Sequence, residues 1–138
     1  MPYNRFCEIH VSAFRKYNET FYPKTYPNPK LYKVWPVLEH LNELFQRAVT
    51  LGLDIVIDET LMLYKGCLGW RQYMPKKRSH FGVKSYLLCE SSSGCIWSQI
   101  IYTGKGTLFD HKYKNLPQSI QVVISVIKPL LRQGYSLI

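Results

Sequence analysis

The sequence has 138 residues, of which 46% are hydrophobic and 14% aromatic, with a formal net charge of +9 and a pI near 9.4. That length suits one domain with a core of ordinary size, and the apolar and aromatic content excludes global disorder. The charge favours a polyanionic partner, nucleic acid first and an anionic membrane surface second, and composition alone does not separate the two.

The start, MPYNRFCEIH, lacks the basic end and apolar core of a signal peptide, and no apolar run approaches a transmembrane length. The expectation is a soluble intracellular protein with no membrane partner. Asn4 can cap a first helix whose apolar positions Phe6, Ile9, Ala13, Phe14 and Tyr17 recur at three- and four-residue spacing, ending near Asn18. Pro23, Pro27 and Pro29 then stop any helix, so Phe21 to Lys33 reads as an ordered connector. Pro36 suits a first helical position, and Leu38, Leu41, Leu44, Phe45, Ala48 and Val49 predict one apolar helix face that ends before Gly52. His40, near the start of that helix, has no second ligand in register and reads as structural.

Ile55, Val56 and Ile57 are β-branched and predict a short buried strand from Leu53 with Asp58 at its end, after which Thr60 to Tyr64 can extend or re-pair briefly. A carboxylate there can bind a metal, take a proton, or pair with a basic side chain nearby. Basic neighbours are plentiful. From Thr60 to Cys89 there is no Asp or Glu, while Lys65, Arg71, Lys76, Lys77, Arg78 and Lys84 supply six positive charges. Gly66, Gly69 and Pro75 make the first part of that stretch a loop or a short irregular hairpin. Trp70 and Tyr73 can stack on a displaced base, although packing of the loop against the domain is the plainer reading.

Val83 to Cys89 and Cys95 to Tyr102 are β-favouring runs joined by the turn-rich Glu90 to Gly94, and predict an antiparallel hairpin. TGKG, from Thr103, lacks the spacing of a phosphate loop, and nothing else in the sequence supports an acid–base role for Asp110 and His111. Ser119 precedes a helical face of Ile120, Val123, Ile124, Ile127, Leu130 and Leu131, with a strand as the alternative and a kink expected at Pro129. Tyr135 to Ile138 predicts the beginning of a last strand. The four cysteines, Cys7, Cys67, Cys89 and Cys95, form no C-x-x-C pair, which argues against zinc and for small buried apolar residues.

Five short pieces stand in order over about fifty residues: IDET from Ile57, YKG from Tyr64, YMPKK from Tyr73, FGVK from Phe81 and YTGKG from Tyr102. Together they resemble the piggyBac transposase family, and the likeness extends to NRF at Asn4 to Phe6 and LYKVWPVLEHLNELF from Leu31. The resemblance implies an α/β fold in which N-terminal helices (residues 1–52, a support region) precede the first half of a ribonuclease H-like domain (residues 53–138), cut after its fourth strand begins. It implies Asp58 as the first catalytic and metal-binding acid of a cut-and-paste DNA transposase. In such an enzyme further acids complete a two-Mg²⁺ site, and the two ions activate the nucleophile and stabilise the leaving oxygen. The partners implied are transposon-end and target DNA, with a homodimer for the full-length form and a nuclear location.

Lys76, Lys77 and Arg78 lead the candidate phosphate contacts, followed by Lys65, Arg71 and Lys84. The family's second acid follows the strand that GYSLI begins, so Asp58 is the only matched acid and this chain alone is expected to be inactive and marginally stable. The alternatives are a transposase-derived protein that binds DNA without cutting it, or an interaction protein whose DNA surface serves another partner.

Overall fold

A computed structural model describes residues 28–138 apart from 79, 106, 108 and 110, and apart from the side chain of His111. The expected helix from Asn4, most of the proline-rich connector and Asp110 lie outside the described residues. The chain divides into two compact units, Met1–His40 and Leu41–Ile138. In the first, Asn28 caps a 3₁₀ turn at Pro29–Leu31, its side-chain oxygen accepting a 3.1 Å hydrogen bond from the Lys30 N–H. Helix α1 follows at Trp35–Ala48, with Pro36 in its first turn, where a missing N–H costs nothing. Its inward face is narrower than the apolar pattern suggests. Leu38, Leu41, Phe45 and Val49 are half-buried, whereas Leu44 and Ala48 are exposed, as is His40.

The second unit is built on a five-stranded sheet. Strand β1 (Asp54–Leu63) pairs antiparallel with β3 (Phe81–Glu90) in an unbroken register from Ile55 opposite Glu90 to Leu63 opposite Gly82. Asp58 therefore lies in the middle of a ten-residue strand, not at the end of a short one, because Thr60 to Leu63 continue the ladder instead of turning away. The other side of β3 is shared by β2 (Gln72–Tyr73) at its beginning and β4 (Ile96–Tyr102) from Lys84 onward. The β3–β4 hairpin matches its expected limits closely. Its turn needs Gly94, whose φ of 68° lies in the left-handed region, and a bulge interrupts the register between Leu88 and Cys89. Asn42, in the part of α1 that belongs to this second unit, covers the open side of β4, accepting from the Gln99 N–H at 2.9 Å and donating to its carbonyl at 3.1 Å.

Helix α2 (Gln118–Ile127) starts after Pro117 and tightens into a 3₁₀ turn at Lys128–Leu130, where Pro129 prevents further α-helix. Its buried line is Val122, Val126 and Leu130, at four-residue spacing, while Ile120 and Leu131 of the expected face are exposed. With apolar residues on nearly every side, the sequence of this helix could not select a face. Val122, Val126 and Leu130 close the core with Ile55, Leu88 and Trp97. The chain then enters β5 (Ser136–Leu137), which lies parallel to β1 with Ser136 opposite Asp54 and Leu137 opposite Ile55. Cys89 is buried, as expected of a small apolar residue, but Cys67 and Cys95 are exposed; all three are free thiols.

Gly82 sits where three strands converge, between Leu63 of β1 and Gln72 of β2. A Cβ at this position would fall well inside contact distance of the Met62 carbonyl oxygen, a backbone atom of the adjoining strand. Gly82→Ala is expected to destabilise the protein by about 1–3 kcal/mol, seen as a lower urea midpoint, because the ladder must open to admit one methyl group.

Candidate nucleic-acid interface

Successive residues of a strand face opposite sides of the sheet, so Asp58 and Glu59 part company. Glu59 turns to the side where Tyr86 stands opposite it, and its carboxylate meets the Lys84 ammonium at 2.6 Å. Lys84 is half-buried, its ammonium lying 4.8 Å from the Tyr86 ring centroid and 5.5 Å from that of Tyr102. Burial works against its charge, but the hydrogen bonds with Glu59 and Tyr86 outweigh that and raise its pKa above the ordinary lysine value. A pKa raised in this way adds stability that is complete below the unfolded-state value and is lost only as pH climbs through the folded-state value, beyond the ordinary lysine range. The Gln118 side chain of α2 joins the group, donating to the Tyr86 hydroxyl and accepting from the Tyr102 hydroxyl, both at 3.2 Å. This is a clamp between helix and sheet at the margin of the core. Lys84 is thus tied to the fold, apart from the other five basic candidates.

Asp58 remains exposed on the opposite side, its carboxylate accepting from the Glu59 N–H at 2.7 Å. It lies close enough to Cys89 that, after burial, its charge is the next cause holding that thiol above its ordinary pKa. Among the described residues no three His, Cys, Asp or Glu side chains gather so as to hold a metal ion. With Glu59 on the other face and paired to Lys84, the donor set here is one carboxylate, which does not fit a two-Mg²⁺ site by itself.

The basic stretch is brought together beyond the far end of β1. Met74 N–H donates to the His80 carbonyl at 2.8 Å and Lys77 N–H to the Met74 carbonyl at 3.1 Å, which shapes the β2–β3 connection carrying Pro75 to Arg78. Lys76, Lys77 and Arg78 are all exposed on it. The Lys77 ammonium donates to the Glu59 carbonyl at 3.2 Å, drawing this connection towards β1. Arg78 shares an open cleft with Lys65 and Arg71, whose other lining residues are Leu63, Tyr64, His80 and Phe81. Arg71 donates to the Gly66 carbonyl at 3.4 Å and sets its guanidinium 4.9 Å from the Phe81 ring centroid. Sequence reasoning met Tyr64 and Phe81 as the first residues of YKG and FGVK, and named neither of them, nor His80, as a site residue. What groups them is the antiparallel pairing that sets Tyr73 directly opposite Phe81, a feature of the fold.

At Thr103 and Gly104, the described start of TGKG, the backbone is engaged by a side chain of the chain itself. The Thr107 hydroxyl accepts from the Thr103 N–H and donates to the Gly104 carbonyl, each at 2.8 Å. No helix among the described residues is long and apolar enough to cross a membrane.

The family model described as Transposase IS4 matches residues 1–138. Among solved structures, the chain is similar to a piggyBac transposase seen by cryo-electron microscopy in a synaptic complex with hairpin DNA. The TM-score is 0.61 and the identity 23%, over 86% of this chain and 29% of that one. The likeness bears on fold, and agrees with the expected one: three antiparallel strands, a helix, and a strand parallel to the first, the opening half of a ribonuclease H-like sheet. The chain spans less than a third of that transposase's length.

Proposed function

Because the chain belongs to the transposase IS4 family, we propose that it is a DNA-binding portion of a piggyBac-type transposase, contributing one catalytic carboxylate, Asp58, without forming a cutting site by itself. The observation that carries this reading is the gathering of Lys65, Arg71 and Arg78 in one open cleft, within a stretch free of Asp and Glu. Such a surface neutralises phosphates and has no carboxylate of its own to repel them. Lys76 and Lys77 extend it, whereas Lys84 serves the helix–sheet clamp.

Asp58 and Leu63 are five residues apart on β1, about 17 Å at the rise of a strand. A DNA strand lying along β1 would span that distance in about five nucleotides. Parallel pairing of β5 with β1 adds a second support. The same offset carried from Asp54 to Asp58 puts the residue level with Asp58 two positions past Ile138. The family resemblance implies an acid in that neighbourhood, and a chain running on in register would bring it beside Asp58. In a longer polypeptide of this kind the partners are transposon-end and target DNA, the metal is Mg²⁺, the assembly a homodimer and the compartment the nucleus.

The test is to incubate the purified chain with duplex DNA and Mg²⁺. Binding with the DNA left uncut is expected, and Asp58→Asn should bind at least as tightly, since it removes a negative charge. Metal-dependent nicking that Asp58→Ala abolishes would overturn the claim that this chain does not cut.

A further inference from the structure

Two of the larger aromatic side chains on the surface are side by side. Tyr73 and Phe81 are direct cross-strand partners in β2 and β3, with ring centroids 4.8 Å apart and planes tilted by 37°. They stay 60% and 47% exposed, although a cross-strand aromatic pair gains more by being covered. Arg71 lies against Phe81, His80 stands 6.4 Å from the Tyr73 ring, and Arg78 and Lys65 line the cleft that Phe81 enters. Exposed aromatic faces bordered by cations, with no acidic residue in the segment, are complementary to a nucleobase attached to its phosphates.

Resting on the DNA-binding reading above, we propose that the Tyr73–Phe81 pair is a stacking platform for an unpaired nucleotide, whose flanking phosphates meet Arg78 and Lys65. Inside a duplex every base face is already covered by its neighbours, so along a continuous helix only a nucleotide turned out of the stack can use the rings. The platform therefore gives this protein a preference for strands with unpaired bases over continuous duplex, a preference that phosphate contacts alone do not create.

The experiment uses the full chain and three DNA probes of equal charge: a duplex, a short oligothymidine, and a duplex with a thymidine overhang in which one base is replaced by fluorescent 2-aminopurine. Tyr73→Ala is expected to weaken binding of the two probes with unpaired bases by about tenfold or more and to relieve the quenching of 2-aminopurine, with duplex affinity changed less than about twofold. Tyr73→Trp, which keeps a stacking ring, should restore both signals and excludes misfolding as the cause. Equal losses on all three probes, or no loss on any, would overturn the platform while leaving the DNA-binding reading in place. Failure of the unaltered chain to bind any of the probes would overturn both the platform and the DNA-binding reading.

Discussion

Replacing Leu88 by alanine is expected to cost about 2–5 kcal/mol of stability, the usual range for a fully buried leucine. Leu88 is 0% exposed and stands opposite Ile57 on one side and Ser98 on the other. It belongs to the core cluster of Ile55, Trp97, Val122, Val126 and Leu130, so three elements lose contacts at once. A domain stabilised by about 5–15 kcal/mol keeps a thin margin after such a loss, and the unit with few alternatives for closing the cavity should unfold at a clearly lower urea midpoint. Leu53→Ala is the matched control. Leu53 is 73% exposed, and its truncation should fall within about 0.5 kcal/mol of the unaltered protein. Equal effects at the two positions would contradict the core described above.

Changing Lys65, Arg71 and Arg78 together to glutamine is expected to flatten the dependence of DNA affinity on salt. Three fewer phosphate contacts lower the slope of log K against log salt by about 2.7, making the fall between about 50 and about 200 mM salt roughly 40-fold shallower. Lys84→Gln carries the opposite expectation. Its ammonium is held by Glu59 at 2.6 Å beneath Tyr86 and Tyr102, so its loss should lower stability and leave the salt slope in place. A triple variant with an unchanged slope would move the DNA surface away from this cleft.

The strands of the second unit were largely legible in the sequence because β-branched runs and the Ser-Ser-Ser-Gly turn act locally, and the β3–β4 hairpin joins consecutive runs. What the sequence hid depends on partners. Strand β1 is ten residues long instead of ending near Asp58 because β3 pairs with Glu59 to Leu63 as well, and nothing local in that half names the partner that extends it. The face of α2 was ambiguous for the opposite reason, since a helix apolar on most sides owes its orientation to the sheet beneath it. At the candidate site the charge pattern named six basic residues without their sorting in space. Lys84 shares a face with Tyr86 and Tyr102 through register, and five others group around the β2–β3 connection, which only the pairing of Tyr73 with Phe81 brings into place.

The most direct test of the central claim, that this basic cleft meets DNA phosphates, is the affinity of the unaltered chain for a short duplex measured across a salt series. The predicted result is a linear fall of log K with log salt whose slope is steeper than about −2.7, the value for the three cleft cations alone, since Lys76 and Lys77 add to it. A slope near zero, or no binding at low salt, would contradict it.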